Sequence, residues 1–346
     1  MIKWLRHKLV SPILWKLSEQ NETLNEQSKT LINITSRQQE LENQITTQML
    51  KLTEITEALR KIDEHHMNEC PNKCAYPAGH YYSPIPDIED VIANESKIFN
   101  NDDGLAGIDF NVDKQISLLQ ELSKFFTEHP FSDEKNHYTR YYFNNNFFTK
   151  TDGLILYSIM RHFQPKKIIE VGSGFSSCMM LDVNQLCFSN GVDLTFIEPF
   201  PERFLENVKT SDNYTLYKEK VQDVGMNIFC SLKRDDILFI DSSHVSKTGS
   251  DVNHLFLRII PQLNSGVIIH IHDIFFPFEY PKQWVVKGWA WNEIYFLRAL
   301  LVNNRELEVL LFCDYLVSEL PSEVKTIMND NEFCKTQAGS IWLRKK

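Results

Sequence analysis

The sequence predicts an α/β protein: a doubly wound, mainly parallel sheet preceded by a long coiled-coil helix. Three observations lead there. Short apolar runs alternate with helical patterns from residue 168 onward. One of these runs, Ile168-Ile169-Glu170-Val171, passes directly into the turn Gly172-Ser173-Gly174. Upstream, a single heptad frame holds from Ile13 to Ile62.

The N-terminal unit is expected over residues 1–70. Residues 1–17 mix Lys3, Arg6 and Lys8 with Ile2, Trp4, Leu5 and Trp15. That mixture suits weak peripheral contact with an anionic membrane surface, and equally the frayed start of a helix. Ser11 and Pro12 form a cap and first-turn pair, and neither Gly nor Pro recurs before Pro71. Leu17, Leu24, Leu31, Ile45, Leu52 and Leu59 occupy a positions, with Ile13, Ile34, Leu41, Ile55 and Ile62 at d. Gln20, Gln27, Gln38 and Gln48 also fall on the seam, where polar residues fix register at a cost in stability. The pattern predicts a parallel coiled coil of about 85 Å, at ~1.5 Å per residue, and therefore self-association.

Residues 71–150 are expected to form a linker and a helical cap. The stretch from Cys70 to Asp87 is rich in proline and tyrosine and should be extended and irregular. Cys70 and Cys74, with His65, His66 and His80 nearby, offer a weak metal pattern against a plain linker reading. A helix with Asp113 as its cap is predicted over 113–127, and Asn144 to Phe148 should form a polar and aromatic loop.

Residues 151–346 are expected to be the catalytic unit. A helix over 151–163 leads into strand 168–171 and a second helix from Ser176. Further strands are predicted at 193–197, 215–221, 237–240, 267–271, 308–312 and 340–343. Helices opening at Pro201 and over 224–232, 252–262 and 291–303 connect them.

Ligands of open parallel sheets bind at the carboxyl ends of the strands, so the strand-end residues carry the functional reading. Gly172, Ser173, Gly174 and Phe175 form the turn that lets backbone approach a ligand, and Glu170 beneath it suits a cofactor with a cationic amino-acid end. Glu198 stands where an acid accepts both hydroxyl hydrogens of a ribose. Asp241 and His244 close the fourth strand, and His272 and Asp273 close the fifth. Ser177 replaces the third glycine of the dinucleotide fingerprint, which weakens an NAD oxidoreductase reading without removing it.

The segment Glu170-Val171-Gly172-Ser173-Gly174 resembles motif I of the class I S-adenosylmethionine-dependent methyltransferases. Phe239-Ile240-Asp241-x-x-His244 and His272-Asp273 resemble the O-methyltransferase branch that acts on sugars and small molecules. The runs Asp241 to Asn253 and His270 to Pro281, the 140–177 region and Gly339 to Arg344 are similar to a bacterial subset of that family. The resemblance covers about residues 78–346 and leaves out the coiled coil. It implies a Rossmann-like seven-stranded methyltransferase sheet closed by an antiparallel strand beside the sixth, and an adenine contact near Asp223. It also implies that Gly79 to Pro86 packs over the active-site mouth, and that acids at the two strand ends orient the acceptor or hold a divalent ion.

The expected activity is transfer of a methyl group to a hydroxyl of a sugar, glycan or related small molecule. His272 or His244 would take the proton, with Asp273 beside them. A magnesium-like ion held by Asp241 and Asp273 would be the other route. The alternative is a coiled-coil assembly protein whose methyltransferase-like domain binds without catalysing.

With 36 Lys and Arg against 46 Asp and Glu, the formal net charge of −10 argues against nucleic acid as the main partner. Cys178, Cys187, Cys230 and Cys313 lie in apolar or helical surroundings and read as reduced buried thiols of a cytoplasmic protein. No apolar run reaches the ~18 residues of a membrane span, and no signal peptide is evident.

Overall fold

The computed structural model describes residues 2–69, 74–100, 105–328 and 338–346. The chain divides into two compact units, Met1–Ala75 and Tyr76–Lys346. The first holds one helix, α1 (Ile2–Glu69). Its threonines return their hydroxyls to the preceding turn, as Thr30 does to the Glu26 carbonyl at 2.8 Å, so those hydroxyls are satisfied within the helix. Side chains of residues 1–10 and 61–69, and residue Cys70, lie outside the described set, and the membrane and Cys70 expectations lie with them. Among the described residues no helix is long and apolar enough to cross a membrane.

The second unit begins with short helices α2 (Ile88–Ala93) and α3 (Glu95–Ile98), then α4 (Val112–Ser123) and α5 (Lys150–Phe163). The cap of α4 is Asn111 in the left-handed region, so the helix opens two residues earlier than expected and Asp113 lies inside its first turn. The sheet and its crossovers follow as β1 (Lys167–Val171), α6 (Phe175–Phe188), β2 (Asp193–Ile197), α7 (Glu202–Leu205) and β3 (Thr215–Tyr217). A 3-10 turn (Val221–Asp223), α8 (Met226–Phe229) and β4 (Ile237–Ile240) come next. The helix predicted over 252–262 is α9 (Asp251–His254), a π-helical stretch (Leu255–Ile259) and α10 (Ile260–Gln262) in succession. The chain ends with β5 (Ile268–His272), α11 (Lys282–Val286), α12 (Glu293–Leu301), β6 (Leu307–Phe312), α13 (Cys313–Glu319), α14 (Pro321–Met328) and β7 (Ser340–Lys345).

The sheet has seven strands in the order β3-β2-β1-β4-β5-β7-β6. β1 to β5 pair in parallel, and β7 inserts antiparallel between β5 and β6. The closing strand thus lies beside the sixth, as expected, and also beside the fifth.

Strand alternation divides the core between the two faces. Ile168, Phe196, Phe239 and Trp342 pack with α5 and α6 residues such as Ile155, Ile159 and Met179. Ile169, Leu238, Ile240, Ile269 and Ile271 pack with Phe256, Ile260 and Leu297 on the other face. The same period of two sends His270 to the first face, where its ring stacks on Phe239 with centroids 3.8 Å apart. His272, two residues on, stands 5.6 Å from His270 on that face and at the strand end.

Cys178 and Cys313 are buried free thiols as expected, whereas Cys187 and Cys230 are exposed and Cys74 is an exposed thiol. Cys187 sits near the end of α6, where the helix face turns outward, a distinction that apolar neighbours in sequence do not convey.

Candidate active site

The site is built at the carboxyl ends of β1, β2, β4 and β5. Gly172 adopts φ +84, and a Cβ there would overlap the Asp241 carbonyl oxygen, because β1 and β4 pass closest at this point. The Gly172 N–H donates to Ile197 O at 3.0 Å and the Asp241 N–H to Val171 O at 2.9 Å, so three strand ends are tied together. Gly174 differs: a Cβ there meets nothing within 4 Å, which is open cleft.

Glu170 is completely buried and does not reach the cleft wall. Ser176 Oγ donates to it at 2.5 Å, and Ser177 Oγ donates to its other oxygen. Ser177 Oγ in turn accepts the Gly174 N–H at 3.0 Å. Glu170 therefore braces the glycine turn and the start of α6 from behind, where a direct cofactor contact was expected. Burial pushes its carboxyl up to about 8, against the two serine hydroxyls that favour its charge.

Glu198 does line the cleft. It accepts the Ser173 N–H at 3.2 Å and the Phe200 N–H at 2.8 Å, one on each oxygen, which leaves lone pairs directed into a chamber of about 520 Å³. Gln222 shares this chamber with a buried, unpartnered Oε1. Asp223 beside it is exposed and stands off the wall. The 3-10 turn explains this, since it rotates successive side chains by a third of a turn.

Asp241, Ser242 and Ser243 also border a second, adjoining cavity of about 350 Å³. Its walls include Ser173, Gly174, Phe175, His244, His272, Asp273, Phe147, Phe148, Arg203 and Trp291. The Ser173 hydroxyl is buried and unpartnered. Phe147 and Phe148 are set by Asn145, whose Oδ1 accepts both of their N–H groups at 3.1 and 2.7 Å while its Nδ2 donates to Tyr142 O and Phe148 O. That loop is anchored by buried Arg140, which pairs with Asp182 of α6 at 2.5 Å and with Asp212.

His244 is clamped. Its Nδ1 lies 2.8 Å from Glu293, and its Nε2 lies 3.5 Å from Asp241 and 3.4 Å from Asp273. Burial opposes a charge on the ring, but the surrounding carboxylates of Asp241, Glu293 and Asp273 override it and hold the imidazole well above its ordinary 6.5. Both ring nitrogens of His244 thus face carboxylates, which suits it to holding Asp241, Asp273 and Glu293 in place. Glu293 also accepts the Ser242 hydroxyl at 2.8 Å and is fully buried. His244 and Asp273 both sit at left-handed φ, +58 and +55, a strain that concentrates at working sites.

His272 is different in kind. Its Nε2 lies 3.8 Å from Asp273, and its buried Nδ1 has no hydrogen-bond partner among the described residues. Burial lowers its proton affinity, while Asp273, Asp241 and Asp152 raise it further, for a net rise above 6.5. Asp152, on α5, is buried beneath the site, accepts the Gly339 N–H at 3.2 Å and keeps its Oδ1 unpartnered. Burial raises its proton affinity against the nearby His272 charge.

Arg140, Asn145, Asp152, Arg203, Trp291 and Glu293 were not legible as site residues. Of these, only Asn145 falls in a predicted loop, the polar and aromatic stretch from Asn144 to Phe148. The segment from Gly79 to Pro86 does not line either cavity: Tyr76 stacks on His80 at 4.4 Å, and Tyr81 and Tyr82 remain exposed.

A divalent cation does not fit this donor set. The His244 Nε2 lies between the carboxylates of Asp241 and Asp273 that would have to share the ion, and among the described residues no group of three or more His, Cys, Asp or Glu is placed to hold one. S-adenosylmethionine does fit: the open face of Gly174 and the unpartnered hydroxyl of Ser173 line one cavity and the spare lone pairs of Glu198 the other, and the two cavities share Asp241, Ser242 and Ser243.

Residues 169–274 match the family model described as Methyltransferase domain. An uncharacterized protein of Archaeoglobus fulgidus is 35% identical over 181 residues, which is 50% of this chain and 82% of that protein. Among solved structures, the plantazolicin methyltransferase BpumL, in complex with a triazolic desmethylPZN analog and SAH, is 14% identical at a TM-score of 0.40, covering 69% of this chain and 100% of that one. The SAH-bound methyltransferase PaMTH1 of Podospora anserina is 16% identical at a TM-score of 0.37, covering 76% and 99%. At these TM-scores the two likenesses carry no weight for the chemistry. The sheet, the glycine turn and the family match agree on one assignment: residues 169–274 carry a methyltransferase domain of the class I, S-adenosylmethionine-dependent type.

Proposed function

We propose that this protein methylates a hydroxyl oxygen of a sugar, glycan or related small molecule, with His272 as the general base. When bound, S-adenosylmethionine supplies an electrophilic methyl group whose sulfur leaves without acid assistance. The chain's residues do the rest. Glu198 accepts the ribose hydroxyls, and the Gly172 to Gly174 turn, held by Glu170, lets the backbone approach the ligand. The acceptor then enters the second cavity between the faces of Phe147, Phe175 and Trp291, and holding it in line removes several kcal/mol of barrier. His272 takes the hydroxyl proton, and Asp273 and Asp152 stabilise the resulting imidazolium. His244 acts as a positioning residue that keeps Asp241 and Asp273 apart and charged-paired.

The observation that carries this reading is that His272 and Asp273 open onto the same cavity as Gly174. It is tested by incubating the protein with S-adenosylmethionine and extracts of glycans and small metabolites, and searching for products 14 Da heavier. His272→Ala should lose transfer about 10²–10⁴-fold while S-adenosylhomocysteine binding by calorimetry stays unchanged. Undiminished transfer by that variant refutes the base assignment. S-adenosylhomocysteine binding with no transfer to any acceptor favours the non-catalytic assembly reading.

A further inference from the structure

The long helix α1 leaves its apolar seam uncovered. Ile13, Leu17, Leu24, Leu31, Ile34, Leu41, Ile45, Leu52 and Ile55 are all between 53% and 68% exposed, and they follow one heptad frame. A stripe of this length on a single helix requires a partner that repeats with the same period.

Charge at the flanking positions says what that partner is. Between Ile13 and Asp63 every Lys or Arg at the flanking g and e positions falls at g, as Lys16, Arg37 and Lys51. Every Asp or Glu at those positions falls at e, as Glu42 and Asp63. In a parallel, in-register pair a g residue faces the e residue five positions on in the neighbouring helix, which sets Arg37 against Glu42 of the next copy and leaves no like-charge pair. An antiparallel pair faces g with g and e with e, and so sets basic residues against each other. The segregation therefore selects further copies of this same chain, side by side.

The branching of the seam limits their number. Leu dominates the a positions (17, 24, 31, 52, 59) and Ile the d positions (13, 34, 55, 62), which is the arrangement that disfavours two strands and favours three or four. Gln20, Gln27, Gln38 and Gln48 form polar layers that pair only when the copies are in register. From these observations we infer that α1 assembles a parallel, in-register bundle of three or four copies, tethering several methyltransferase units at its C-terminal end. The inference does not depend on the nature of the acceptor. For a polymeric acceptor it would raise the local concentration of active sites.

Sedimentation equilibrium of the full chain should give three or four times the 40.6 kDa chain mass. A monomer or dimer mass overturns the inference. Leu24→Cys, made with Cys70, Cys74, Cys187, Cys230 and Cys334 replaced by Ser, should form disulfide-linked pairs on mild oxidation, since identical a positions meet only in a parallel, in-register bundle. Failure to cross-link overturns the orientation. Arg37→Glu should lower the midpoint of thermal dissociation, and the double exchange Arg37→Glu with Glu42→Arg should restore it. Failure of the exchange to restore it overturns the pairing. Leu31→Asp with Ile34→Asp should yield monomers that still bind S-adenosylhomocysteine, and retention of the assembly by that variant overturns the role of the seam.

Discussion

Glu170 offers a direct test of how the glycine turn is held. Its folded carboxyl titrates at about 8 against an ordinary 4.5, because burial penalises the anion more than Ser176 and Ser177 stabilise it. A carboxyl whose affinity for its proton is higher in the folded state contributes stability that is complete below about 4.5 and is lost as pH rises through about 8. One unit is worth ~1.4 kcal/mol, so between pH 5 and pH 8 the folded enzyme should lose on the order of 3 kcal/mol through this group alone. Glu170→Gln removes the titration while retaining an acceptor and a donor for the two serines. Measured by urea denaturation across pH 5 to 8, the stability of the variant relative to the natural protein should therefore rise by about 3 kcal/mol, or roughly 6–12 °C in Tm. Parallel curves for the two proteins would refute the argument, because they would mean that the carboxyl is not kept from water in the way its position requires.

Other outcomes follow from single features of the site. Gly172→Ala combines a left-handed φ with overlap on the Asp241 carbonyl, and should destabilise the domain by about 2–5 kcal/mol in a thermal melt. Arg140→Met strands two buried carboxylates, Asp182 and Asp212, and should cost about 3–5 kcal/mol by chemical denaturation. Glu198→Ala removes the proposed ribose acceptor and should weaken S-adenosylhomocysteine binding by about 1–3 kcal/mol in calorimetry while leaving the melting temperature near that of the natural protein. Because Asp273, Asp241 and Asp152 raise the proton affinity of His272, transfer rates should climb with pH through a midpoint above 6.5, and Asp152→Asn should move that midpoint down.

The strands that cross the interior were readable because parallel strands buried on both faces are continuous apolar runs, as Ile237-Leu238-Phe239-Ile240 is. Gly172 and Gly174 were readable because a buried strand running into a glycine turn and then a helix is the layout of a nucleotide-cofactor loop, with Glu170 two positions before it. Residues from outside these signals were not readable. Asp152 looks like an ordinary acid in the first turn of α5, and only the tertiary fold, which also brings the Gly339 N–H onto it, places it near His272. Glu293 is likewise a first-turn acid, and its role comes from His244, 49 residues earlier, folding back onto the start of α12.

Local chemistry in the chain settles the heptad helix, the strand and helix alternation and the glycine turn, because each depends on neighbours within a few residues and on a fixed period. The tertiary structure decides which carboxylate meets which histidine. Proton affinity follows from that, since the charge of a buried imidazole depends on the distances to groups far away in sequence: His244 sits among three carboxylates, and His272 has Asp273 beside its Nε2 while its Nδ1 has no partner among the described residues.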